Sequence, residues 1–385
     1  MGVRDRLGNV AAEIGDVLGN ALPPRCPIPW RPNAFAPVFS GFRDYAPSRA
    51  ENARFRALGV DNVVVELGAP TRLRVWFPSI GGSPQYNEIL QPCGRYPLVV
   101  FAHGMCSDQA APDPAAQAAH YLTWGDNPIV RQQARAGYVV VVPQLAGASP
   151  GSEQDVDTLR NVLEWIRTDW EYANLLAEPP ATAMIGHSRG GVHAARLVLE
   201  GEISAYVSLS GDFQGLVADE AISLVTSINV PKLIAIGDSS EGLDPSWKPP
   251  TDGDERLRGT WQQLSLPRHE AVIDRMAHFD YLAPEVAPCQ DAPGPCLRVP
   301  RLIADIVTMF LARYLPPPAV SGLPAQVPAT LIPPLDWDAG LSIKQIFYSG
   351  SYLTGVGAWP SSPPECRLVL TFETSGSSGV VTLPE

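Results

Sequence analysis

Gly186-His187-Ser188-Arg189-Gly190 sets a serine between two glycines, after the apolar run "ATAMIGHS" (181–188) and before a helix-like stretch. Glycines at that spacing let a strand turn sharply into a helix, with the serine held in strained backbone geometry at the strand's carboxyl end. The helix that follows would aim its amide dipoles at Ser188 and favour negative charge developing there. The chemistry suggested is attack by an activated hydroxyl, which needs a base, an acid and oxyanion donors from elsewhere in the chain. The plainer interpretation is a small residue in a packed turn, and the remaining candidates decide between the two.

Of six histidines, His187 is too close in sequence to fold back onto Ser188, and His193 lies in the following helix. His103 belongs to an "HG" turn, His120 to an early loop, and His269 precedes the last strand candidate, "HEAVIDRM". His278, in "RMAHFDYL", follows that strand and comes after the serine in chain order, which makes it the candidate base. An oxyanion site needs converging backbone N–H groups: one expected from Arg189, next to the serine, the other from Met105, after "PLVVFAHG". The Arg189 side chain is expected to be structural rather than a contact for an acidic substrate. For the acid, the loop after "PKLIAIG" offers Asp238, Glu241 and Asp244, and Asp212 ends the preceding run "YVSLSGD". Asp238 is preferred because a strand end fixes its backbone best, with Glu241 next and Asp212 as the alternative from the earlier strand.

The elements that must position these groups are apolar runs that stop at Gly, Pro or polar residues: 71–79, 96–104, 137–144, 181–188, 204–212 and 231–238, with another at 62–68. Near-continuous apolarity marks strands buried on both faces of a parallel sheet. Between them, Val156, Leu159, Leu163, Ile166 and Trp170 share one helix face; 188–200 reads as a second helix, and 299–315 as a third. Alternating β and α units imply a doubly wound, mostly parallel α/β sheet. The expected organisation is an N-terminal helix and extended arm over 1–54, a catalytic domain over 55–315, a Pro-rich linker over 316–340 and a small β-rich appendage over 341–385. The short connection over 213–230 leaves no room for a large helical lid, so the cleft should be open. Tyr121, Trp124, Trp247 and Trp261 are candidates to wall an apolar pocket.

"GHSRGG", "VVFAHGM" and "AHFDYL", with "LRVWFPS" ahead of them, resemble the α/β-hydrolase superfamily, in the branch near chlorophyllases, platelet-activating-factor acetylhydrolases and cutinase-like polyester hydrolases. The resemblance covers roughly residues 55 to 315. It implies Ser188 as nucleophile, His278 as base, and the Met105 and Arg189 amides as oxyanion donors. Members differ over the acid, which keeps Asp212 in play. The chain departs from dienelactone hydrolases, which carry cysteine at the nucleophile. The expected activity is hydrolysis of a small-molecule or polymeric ester through an acyl-enzyme, with no cofactor. The rivals are an acyltransferase or peptidase on the same triad, and a non-catalytic binding protein.

The bulk numbers agree with a globular chain: 385 residues, 45% hydrophobic and 18% charged. A formal net charge of −12 without a basic cluster argues against nucleic acid as a partner. No stretch approaches the roughly 18 apolar residues of a membrane span. Neither metal-ligand spacing nor a phosphate-cradling glycine loop is visible. The first residues lack the apolar core of a secretory signal, which favours the cytosol. A disulfide between Cys289 and Cys296, across "CQDAPGPC", would instead favour an oxidising compartment.

Overall fold

Every residue of Leu98–Ala102 and Val139–Pro143 is buried, as strands covered on both faces must be. The structure, a computed structural model, describes residues 39–45, 72–79, 94–106, 114–147, 150–179, 181–213, 218–238, 264–274, 278–282, 299–318, 368–373 and 378–383, with the single positions 89, 216, 276 and 375. In chain order the first elements are β1 (Phe39–Tyr45), β2 (Leu73–Ser79), β3 (Leu98–Ala102), α1 (Pro114–Gly125), α2 (Pro128–Arg135), β4 (Val139–Pro143), α3 (Glu153–Thr168) and β5 (Thr182–His187). There follow α4 (Arg189–Val198), β6 (Ala205–Leu209), α5 (Ala218–Thr226), β7 (Lys232–Asp238), β8 (Arg268–Asp274), α6 (Val299–Tyr314), β9 (Leu368–Glu373) and β10 (Ser378–Leu383).

All the strands join one 10-stranded sheet in the order β1-β2-β4-β3-β5-β6-β7-β8-β9-β10. From β4 to β8 every neighbouring pair is parallel, whereas β2 runs antiparallel to β4. The chain leaves β3 for β4 on one side and returns with β5 on the other. The carboxyl ends of β3 and β5 therefore flank the point where the winding reverses, which opens a crevice in sheets of this kind.

Alternation along each strand splits the core in two. Val99, Phe101, Val140, Val142, Ile185 and Val207 face the layer of α1, α2 and α6. Leu98, Val100, Val139, Val141, Met184 and Ile234 face α3, α4 and α5. Helix α6 buries the stripe Leu302, Ile303, Ile306, Val307, Phe310 and Leu311, a helical period wide enough to cover a sheet. Helix α2 begins on a formed cap: Asn127 Oδ1 accepts from the Ile129 amide at 2.8 Å, and Pro128 takes the first turn, where its missing N–H costs nothing.

Two regions differ from the sequence reading. β1 falls in the stretch expected to be an extended arm, yet it pairs antiparallel with β2 from Phe39↔Ser79 to Tyr45↔Leu73. The β-rich C-terminal segment is expected to stand apart, but β9 pairs antiparallel with β8 and β10 with β9, so both strands extend the main sheet. Their contact is reinforced where Arg268 Nε donates to Glu373 Oε2 at 3.0 Å. The strand expected at 62–68, the Pro-rich stretch beyond 318 and the Cys289–Cys296 pair lie outside the described residues.

Candidate active site

Ser188 is the residue between β5 and α4, with φ 55° and ψ −129°. A non-glycine residue at positive φ stores backbone strain of about 1–3 kcal/mol. Here the strain is held by packing. A Cβ on Gly190 would lie 2.1 Å from the Ala102 carbonyl oxygen, and one on Gly186 would lie 2.4 Å from the Gly190 oxygen. Both glycines of the pentapeptide are thus places where backbone meets backbone. Ser188 O accepts from the amides of Gly191 and Asp212, each at 2.9 Å, which ties the turn to the end of β6.

The loop after β3 closes on this turn. A Cβ on Gly104 would stand 2.7 Å from Ser188 Cβ and 3.0 Å from the Arg189 amide nitrogen. Met105, the next residue, is partly exposed. Buried side chains hold the loop. Gln117 of α1 accepts from the Cys106 amide at 2.9 Å and donates to the carbonyls of Gly104 and Leu145, both at 3.3 Å. His103 Nε2 accepts from the Leu145 amide at 3.1 Å, so its ring proton is on Nδ1 and is donated to Gly104 O at 2.9 Å. Burial pushes the His103 pKa down to about 4, which keeps this tautomer neutral at pH 7.

The Arg189 side chain reaches two neighbouring loops: Nη1 donates to Gly147 O at 2.9 Å, and Nε lies 3.8 Å from Asp212 Oδ2. Asp155, wholly buried in the first turn of α3, accepts from the Ala146 amide at 2.8 Å, fixing the neighbouring loop. His193 Nε2 lies 3.5 Å from Asp155 Oδ2, but burial lowers the His193 pKa to about 4, so the contact is polar rather than ionic at pH 7.

His278 is in the turn after β8, half-buried, with its ring 4.8 Å from that of His187. The turn is pinned from several sides. His187 Nε2 donates to the His278 carbonyl at 2.9 Å, and Asn127 Nδ2 donates to the Tyr281 carbonyl at 2.8 Å. The Tyr281 hydroxyl donates to Ala235 O at 2.8 Å and lies 2.8 Å from Ser210 Oγ. Asp238 is the last residue of β7, in register with Asp274 of β8. Beside it a Cβ on Gly237 would lie 2.0 Å from the Met276 carbonyl oxygen, so the chain leading to His278 runs directly against the end of β7. Glu241 and Asp244 lie outside the described residues, as do Trp247 and Trp261.

Gln117, Asn127 and Tyr281 are the residues that motif reading misses. Gln117 and Asn127 belong to no motif, and Tyr281, though inside "AHFDYL", gives no sign in sequence of its contacts with Ser210 and Ala235. His120 is in α1, not a loop, and its Nε2 accepts from Trp124 Nε1 at 3.0 Å. Trp124 is fully buried, with its ring 4.6 Å from Phe101 and 4.8 Å from His187, so it packs the core rather than walling a pocket. Among the described residues, no helix is long and apolar enough to cross a membrane, and no three His, Cys, Asp or Glu side chains are grouped to hold a metal.

Residues 84–220, from before β3 to the start of α5, match a family model described as Chlorophyllase. Among solved structures, the chain is similar to the dienelactone hydrolase from Anabaena variabilis ATCC 29413, at 16% sequence identity and a TM-score of 0.42. That match covers 71% of this chain and 99% of the other. No curated protein matches the sequence. The strand order, the β5–α4 turn and the family match make the fold that of an α/β-hydrolase.

Proposed function

We propose that the protein is a serine hydrolase of carboxylic esters. Ser188 Oγ attacks the ester carbonyl carbon while His278 takes the hydroxyl proton, and the carbonyl oxygen becomes an oxyanion received by the Met105 and Arg189 amides. Collapse of the tetrahedral intermediate breaks the bond to the alcohol, which leaves with the proton from His278. Water then repeats the sequence on the acyl-enzyme and releases the acid and free Ser188.

The observation that carries this reading is the convergence at Ser188. A serine at positive φ on a strand-to-helix turn has the loop of Gly104 against its Cβ and the first amide of α4 beside it. Asp238 is our choice for the acid that orients His278. It ends β7, where the segment before His278 is pressed on Gly237 and the strand end fixes its backbone. Among the described residues the connection between β6 and β7 holds α5, and its length leaves no room for a large lid, which suits a bulky ester or a polyester chain.

The test is a panel of p-nitrophenyl acyl esters graded in chain length, on wild type and Ser188→Ala, with fluorophosphonate labelling of the wild type. Ser188→Ala should lose at least ~1,000-fold in kcat, and the label should map to Ser188. Retained activity in the variant, or an unlabelled Ser188, refutes the proposal. Transfer of the acyl group to an added alcohol or amine in preference to water would reassign the enzyme as an acyltransferase.

A further inference from the structure

We infer that Gln117 is a positioning residue for the reaction proposed above: it fixes the plane of the Gly104–Met105 peptide so that the Met105 N–H faces the oxyanion. The inference rests on that ester-hydrolase reading and adds a residue that no motif marks.

The carbonyl of Gly104 and the amide of Met105 share one peptide unit, which is trans. In a trans peptide the C=O and the N–H point in opposite directions. Gly104 O is held on the buried side of the loop, by His103 Nδ1–H at 2.9 Å and by Gln117 Nε2 at 3.3 Å. The Met105 N–H therefore points away from that side. Gly104 itself stands against Ser188 Cβ and the Arg189 amide nitrogen, the other expected donor.

Gln117 does more than add one bond to Gly104. Its Oε1 takes the Cys106 amide at 2.9 Å, so the same side chain grips the loop on both sides of Met105. Its Nε2 also reaches Leu145 O at 3.3 Å, tying the loop after β3 to the loop after β4. The fit is close: a Cβ on Gly147, which has φ +67°, would lie 2.4 Å from Gln117 Nε2. Such a side chain can act as both donor and acceptor at one point, which no apolar residue of the same size can do. An unheld peptide could rotate, and a donor displaced by about 1 Å loses on the order of 100-fold in rate.

The experiment uses the full chain as wild type, Gln117→Met and Gln117→Glu, with a p-nitrophenyl ester as substrate and an alkyl trifluoromethyl ketone as inhibitor. Ser188 Oγ adds to the ketone carbonyl, its proton passes to His278, and the hemiketal oxygen carries the charge the amides receive. Gln117→Met should lower kcat by about 10- to 100-fold with KM little changed. The ketone's inhibition constant should rise by the same factor. A fall in kcat with an unchanged inhibition constant would mean only less folded enzyme, and would overturn the inference. So would wild-type values for both. Gln117→Glu gives a second readout, because a neutral carboxyl can still donate one bond while a carboxylate cannot. Its activity relative to wild type should recover as pH falls, and a ratio flat with pH would overturn the inference. A wild type that neither cleaves the ester nor binds the ketone refutes the hydrolase reading itself, an outcome distinct from these.

Discussion

Gly190 has no room for a single methyl group, because a Cβ there would lie 2.1 Å from the carbonyl oxygen of Ala102. The obstacle is backbone on both sides, β3 against the start of α4, and neither can yield without moving the strand or the helix. Gly190→Ala should therefore destabilise the fold by about 2–4 kcal/mol and disturb Ser188 at the same time. Urea unfolding checks this, and an unchanged midpoint would show that the elbow is looser than the contact implies. At this scale the sequence is most legible. A serine flanked by glycines carries its own explanation, because the chemistry and the sterics both constrain the same five residues. Gln117 is the opposite case. Its importance arises from two loops that are far apart in sequence, and the residue alone gives no sign of them.

Elements decide where His278 stands. The turn after β8 is bonded to the cap of α2 through Asn127, to β7 through Ala235 O, and to the end of β6 through Ser210. Tyr281→Phe removes the hydroxyl contacts at β6 and β7 and should cost about 1–2 kcal/mol of stability. Because the substrate-binding groups are untouched, kcat should fall by roughly 10-fold while KM stays put; steady-state kinetics beside a denaturant titration separate the two effects. The apolar runs made β2 through β8 readable, whereas α1 and α2 were not. Helix α1 buries Gln117 and His120, and α2 buries Gln132 and Gln133, so polar residues sit where an amphipathic pattern would have apolar ones. β1 is hidden in a Pro- and aromatic-rich stretch without a period. β9 and β10 were legible as strands, but a strand's sequence does not record which edge it will join.

The whole molecule should respond to acid through its buried histidines. Burial pushes the pKa of His103 and His193 down to about 4, and burial, with Arg313 and Lys232 nearby, pushes that of His269 down to about 3. In the unfolded chain these rings protonate near pH ~6.5. Between that pH and about 4 the unfolded state binds more protons than the native one, so stability falls as pH drops through this window. Above pH ~7 both states hold neutral rings and these groups contribute no slope. Each ring contributes at most ~1.4 kcal/mol per pH unit, so thermal melts at pH 7.5 and 5 should show a clear loss of Tm at the lower value, and equal melting temperatures would contradict the assignment. The sheet's order has a mechanical consequence as well. Its outermost strands, β1 and β10, lie near the two ends of the described chain and at opposite edges of the sheet, about 43 Å apart at ~4.8 Å per strand spacing. A force applied between them acts across the strands, so it would peel the antiparallel borders one hydrogen bond at a time. Stretched in an optical trap, the protein should shed β1 and the β9–β10 pair at low load, before the parallel centre around Ser188 gives way.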